Sequence, residues 1–173
     1  MAFPTETVYG LGADYSNENA VRKIYDVKKR PSDKPLTLHI SNMEMLKDFV
    51  TDVPVLAKRL MNRFWPGPLT IILMSNNGKK IGFRMPKNNI ALKLIEACGR
   101  PIVAPSANAS GSEPPKDAME VHKSLGNNVD MILDGGKTQL GVESTVVDAT
   151  IFPCEVLREG AISKARLSDA WYC

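Results

Sequence analysis

Cysteine, histidine and aromatic residues are scarce in this chain, and each scarcity removes a class of function. The three cysteines, Cys98, Cys154 and Cys173, are odd in number and contain no C-x-x-C pair. That argues against a disulfide framework and against a zinc site, and fits a reducing compartment. Aromatics make up only 6% of residues, so the stacking platforms of a single-strand nucleic-acid binder are not evident. The longest apolar run, "LTIILM" at 69–74, is far too short to cross a bilayer. No basic stretch leading into an apolar one opens the chain, so no secretory signal is expected. The chain reads as soluble and cytoplasmic, with no membrane contact. A net charge of +3 and a pI near 8.7 suit anionic ligands without making the whole surface a nucleic-acid footprint.

Three familiar catalytic patterns are also missing. "GGKTQLG" (135–141) invites a phosphate-loop reading, but Met131 stands where that loop needs its first glycine. Gly10 and Gly12 begin a dinucleotide fingerprint that Tyr15 breaks. Ser106 lacks the flanking glycines of a nucleophile elbow, and neither His39 nor His122 has a triad context.

What is present is an α/β pattern. With 173 residues the chain is one domain by default, able to bury roughly 68–70% of its unfolded surface. Residues 17–29 open on Asn17, a helix cap, and space Val21, Ile24, Tyr25 and Lys28 helically. "LTLHI" (36–40) reads as a strand, followed by helical patterns near 42–50 and 53–64. The turn "WPGP" (65–68) leads into the strand "LTIILM". Further strands are expected at 81–86, 130–134 ("DMILD"), 144–149 and 155–160, with a short buried strand ending in a polar turn over 101–108 and helices near 89–98, 115–125 and from Ser163. Such interleaving implies a mixed sheet.

Polar clusters punctuate the strand ends: "PTETVYGLG" (4–12), "KKRPSDKPL" (28–36), "FRMP" (83–86), "PSAN" (105–108), "ESTVV" (143–147) and "LREG" (157–160). Each alone could be a turn, a solvated face or, in Thr5-Glu6-Thr7, strand alternation. Jointly they place cations suited to phosphate or carboxylate beside hydroxyls suited to a small polar substrate, where α/β sheets collect ligands.

In order and spacing, "FPTETVYGLGAD", "VKKRPSDKPLTLHI", "WPGPLT", "RMP", "APSANASG", "DGG", "GVESTVVD" and "LREG" closely resemble the YrdC-like threonylcarbamoyl-AMP synthases, from residue 3 to about 163. The resemblance implies an α/β fold, a YrdC-like single domain over 1–173 with a twisted mixed sheet, flanking helices and a concave basic cleft. It implies synthesis of L-threonylcarbamoyladenylate from L-threonine, bicarbonate or CO₂ and ATP, with release of pyrophosphate. A partner complex then transfers the threonylcarbamoyl group to adenosine 37 of tRNAs reading ANN codons, and weak tRNA binding is a further expectation.

By the same resemblance, Lys28 and Arg30 are catalytic, and Arg30, Lys34, Asn108 and Arg158 meet ATP. Lys116 sits where relatives often carry a hydroxyl residue near the nucleotide. Thr7, His39, Arg84, Ser106 and Ser144 meet threonine, with Arg84 the natural fork for the α-carboxylate. Mg²⁺ is expected on the ATP phosphates, with no ligand from the protein. The chemistry needs no side-chain nucleophile, because an N-carboxylate attacks the α-phosphate and positioning with charge neutralisation carries the step. Relatives usually have a helix and most of a strand before "FPTET", so a weakened sheet edge beside Thr7 is expected. The chain stops soon after "LREG", so by the resemblance the short, single-domain type, without the linker and further domain of longer relatives, is expected. Two other readings stand beside this one: a tRNA- or rRNA-binding module without catalysis, and a carbamoyl-adenylate domain of the hydrogenase-maturation kind.

Overall fold

The computed structural model describes residues 1–171; Tyr172 and Cys173, one of the three cysteines, lie outside the described residues. The chain opens with two short antiparallel strands, β1 (Ala2–Phe3) and β2 (Gly10–Leu11). The loop between them is buried throughout, so the "PTET" segment is neither a strand nor a sheet edge. Thr7 therefore differs from expectation: it lies in an interior turn, with its hydroxyl 2.8 Å from that of Thr5.

Strand β3 (Ala13–Asp14) precedes α1 (Glu18–Lys28), which Asn17 caps by accepting from the Ala20 amide at 3.0 Å. Lys29, at φ 51°, ends it. After β4 (Thr37–His39) come α2 (Glu44–Lys47) and α3 (Val55–Phe64), then β5 (Leu69–Met74), β6 (Lys80–Arg84) and α4 (Asn89–Cys98). Strand β7 (Ile102–Val103), α5 (Ala118–Leu125), β8 (Thr145–Asp148), β9 (Glu155–Arg158) and α6 (Lys164–Trp171) complete the order.

Seven strands form one sheet in the order β3-β7-β4-β6-β5-β8-β9. Pairs β4/β6 and β5/β8 are parallel and the rest antiparallel, so the sheet is mixed as expected. Its core gathers Leu38, Ile40, Leu69, Ile71, Leu73, Phe83 and Val147 with Leu60 and Met61 of α3 and Leu167 of α6. A second cluster, Phe3, Ala91, Ile95, Ile102 and Ala104, seats α4.

The strand expected at 130–134 is a correction. Only a single bridge forms there: the Ala2 amide donates to the Met131 carbonyl at 2.7 Å, and the Leu133 amide to Ala2 at 2.8 Å. The neighbour, β1, is two residues long, so the ladder has nothing further to pair with. The helix expected at 42–50 shrinks to four residues because Phe49 and Val50 both turn their amides onto the Leu46 carbonyl. The helix expected at 115–125 begins at Ala118, where the Asp117 carboxylate accepts from the Glu120 amide at 2.8 Å.

Candidate active site

The loop 4–9 folds inward because its own hydroxyls replace a strand ladder. Thr5 donates to the Val8 carbonyl at 2.7 Å and accepts from the Thr7 amide at 3.2 Å. That turn presents Thr7 to Arg84, the last residue of β6, whose Nη2 donates to Thr7 Oγ1 at 2.9 Å. The same nitrogen lies 2.8 Å from Glu6 Oε1, and both side chains are almost fully buried. The pair is ionic rather than an aligned hydrogen bond, for neither Glu6 oxygen has a hydrogen-bond partner. Burial pulls the Arg84 basicity down, and Glu6 opposes it.

The parallel register pairs His39 with Arg84, so the two stand side by side on adjacent strands. Burial first, and the neighbouring guanidinium second, push the imidazole down to about 3. His39 is therefore neutral, and its Nδ1 is buried without a partner. On the β5/β8 side, Thr70 Oγ1 and Ser144 Oγ lie 2.9 Å apart. Arg158, at the end of β9, folds back so that Nε and Nη2 donate to the Ser144 carbonyl at 3.2 and 2.9 Å. Its Nη1 sits 2.9 Å from Glu143 Oε1. Gly160 makes this return possible: a Cβ there would collide with the Glu143 carbonyl and with Ser144.

Thr7, His39, Arg84, Ser106 and Ser144 all line one cavity of about 120 Å³, and Arg30 and Arg158 line it too. The five residues assigned to threonine thus come together from five separate stretches of chain. A second cavity, about 310 Å³, is lined by Lys116 and shares Glu143 and Arg158 with the first. Gly141, at φ +64°, leaves space for the Lys116 methylenes.

Three assigned residues are placed otherwise. Lys28, buried, turns away from both cavities and donates to the carbonyls of Ser106 and Asn108, each at 2.5 Å. Burial, then Arg30, bring its ammonium pKa down to about 8. Asn108 also faces inward, donating to the Ser112 carbonyl at 2.6 Å and the Ala109 carbonyl at 3.1 Å. Lys34 is exposed on its loop and lines neither cavity. Arg30 ties that loop down, donating to the carbonyls of Lys34 at 3.2 Å and Pro35 at 2.9 Å. Lys28 and Asn108 thus pin the "PSAN" turn from behind, while Arg30, Arg158 and Lys116 face open space.

Sequence reasoning passed over Glu6, Thr70 and Glu143. Glu6 and Glu143 were legible as single carboxylates set inside clusters otherwise rich in hydroxyls. Thr70 carried no signal, being a strand residue in an apolar run.

The Sua5/YciO/YrdC family model, described as telomere recombination, matches residues 1–160. Threonylcarbamoyl-AMP synthase of Pyrococcus abyssi is 46% identical over 171 residues, covering 94% of this chain and 50% of the relative. That of Bacillus subtilis is 45% identical over 177 residues, covering 96% and 51%. The crystal structure of P. abyssi Sua5 complexed with L-threonine superposes with a TM-score of 0.94 at 44% identity, covering 98% of this chain and 52% of that one. The chain spans about half the length of the curated relatives it matches.

Proposed function

The chain belongs to the Sua5/YciO/YrdC family, and from that premise we propose that it joins L-threonine, CO₂ or bicarbonate, and ATP into L-threonylcarbamoyladenylate, releasing pyrophosphate. The observation that carries this reading is the cavity of about 120 Å³ with buried Arg84 in its wall. Its volume suits a small amino acid rather than a nucleotide. Arg84 offers a permanently charged fork for the α-carboxylate. Thr7, Ser106 and Ser144, with the neutral His39, supply hydroxyls and an imidazole for the remaining polar groups.

ATP belongs in the second cavity, where Lys116 and Arg158 meet its phosphates and Arg30 faces them from the first. Lys34, on the tied loop, adds charge at the entrance. Lys28 and Asn108 act indirectly by fixing Ser106. Arg158 borders both cavities, so the α-phosphate comes to the junction, where the N-carboxylate attacks it in line and the bond to the β-phosphate breaks. The protein supplies positioning and positive charge. Mg²⁺ would arrive on the phosphates, which it prefers to all-protein cages; no three His, Cys, Asp or Glu side chains gather as a metal site among the described residues. No helix among them is long and apolar enough to cross a membrane. The family assignment is the ground for a cytoplasmic enzyme whose product feeds a tRNA threonylcarbamoyl-transfer complex.

The test is pyrophosphate release from ATP with threonine and bicarbonate each supplied or withheld. Release that needs both is expected. Release that needs neither, or none from folded protein, overturns the assignment.

A further inference from the structure

The cavity given above to threonine holds cations and hydroxyls, yet an α-amino acid at neutral pH also brings an ammonium group. Among the residues lining that cavity, Glu143 is the one carboxylate. Its Oε1 lies 2.9 Å from Arg158 Nη1, but the contact is an ion pair only, and neither carboxylate oxygen takes an aligned hydrogen bond among the described residues. Acceptor capacity therefore stands unused at the cavity wall. The side chain is about one-third exposed, so it is reachable. Its charge extends to Arg84, where it helps to hold the guanidinium in its charged form.

We propose that Glu143 seats the α-ammonium of the amino acid and so selects substrates that carry an amine. The inference rests on the threonine reading of the first cavity. Arg84 and Glu143 then form the two poles of a zwitterion site, with the carboxylate against Arg84 and the nitrogen against Glu143. Because Glu143 lines both cavities, the nitrogen it holds comes to their junction. That is where the N-carboxylate must meet the α-phosphate. Arg158 is the counter-ion of Glu143 in the absence of ligand; the nucleotide phosphates would take over Arg158 and leave Glu143 to the amine.

Calorimetric titration of the whole chain, saturated with a non-hydrolysable ATP analogue so that phosphates hold Arg158, separates the possibilities. The probes are L-threonine and 2,3-dihydroxybutanoate, in which a hydroxyl replaces the amine. The wild-type protein is expected to prefer threonine by at least about tenfold, the scale of one charged hydrogen bond. Glu143→Gln, nearly isosteric, is expected to lose most of that preference while binding the hydroxy acid about as well as wild type does. A variant that keeps the preference overturns the role of Glu143 and leaves the threonine pocket standing. A wild-type protein with no preference between the probes overturns it too, without relying on the variant's folding. If the wild-type protein binds neither probe, the threonine reading itself falls, and this inference with it.

Discussion

Arg84 and Glu6 show what one buried residue demands of another. A guanidinium this deeply buried needs a counter-charge, and Glu6 supplies it at 2.8 Å without an aligned hydrogen bond. Removing one partner of such a pair leaves an uncompensated charge, at a cost of roughly 3–5 kcal/mol. Glu6→Gln should therefore lower the melting temperature, and threonine should restore more stability to this variant than to the wild type, because its carboxylate replaces the lost charge. Equal melting of variant and wild type would show that the pair carries no stability. His39 gives a pH dependence with a definite sign. Its folded pKa of about 3 lies below the ordinary 6.5, so the unfolded chain binds a proton through a range in which the folded protein does not. Stability is then complete above pH 6.5 and is lost progressively as the pH falls toward 3. The urea midpoint should decline through that window, and His39→Gln should flatten the decline.

At the scale of elements, the loop between α1 and β4 answers to two residues with opposite tasks. Lys28 reaches inward to the Ser106 and Asn108 carbonyls, whereas Arg30 holds the carbonyls of its own loop and borders the cavity. Lys28→Met would leave the buried Asn108 carbonyl unsatisfied, at a cost of about 1–3 kcal/mol, and would release the half-buried Ser106 carbonyl. Steady-state kinetics should show a raised KM for threonine, through Ser106. Arg30→Ala should instead raise the ATP requirement and leave threonine affinity, measured by calorimetry, near that of the wild type. If the two variants gave the same kinetic pattern, this division of labour would be wrong. The return of β9 depends in the same way on Gly160, whose missing Cβ lets the chain lie against Glu143 and Ser144. Gly160→Ala should weaken threonine and ATP binding together, since Glu143 and Arg158 serve both cavities.

Across the whole molecule, the mixed sheet is what turns scattered motifs into one site. Parallel pairing of β4 with β6 sets His39 against Arg84, 45 positions apart in sequence number. Parallel pairing of β5 with β8 brings Thr70 to Ser144, and antiparallel β9 returns Arg158 to the same end. Arg84→Ala should abolish threonine binding while sparing ATP, because Arg84 is buried in the wall of the first cavity, whereas Arg30 stands half-exposed at that cavity, toward the nucleotide. Unchanged threonine titration would refute that role.

Much of this was legible from the order of residues alone. The start of α1 followed from Asn17, which caps by a purely local hydrogen bond; Asn88 and Asp117 cap α4 and α5 in the same local way but were not read as caps. Apart from the two-residue β3, the strands of the sheet followed from apolar runs, and the family from eight ordered motifs, since each depends on residues close together in the chain. What depended on neighbours distant in sequence could not be read that way. "DMILD" has a strand's composition but finds only a two-residue partner, and "PTET" alternates like a strand yet folds as a buried turn. Lysine and arginine in one basic stretch look alike on paper. Only packing decided that Lys28 would be spent on two backbone carbonyls and Arg30 left at a cavity wall. The same holds for Glu6 and Glu143: a carboxylate takes its role from the cation that the fold brings beside it, and that cation lies elsewhere in the chain.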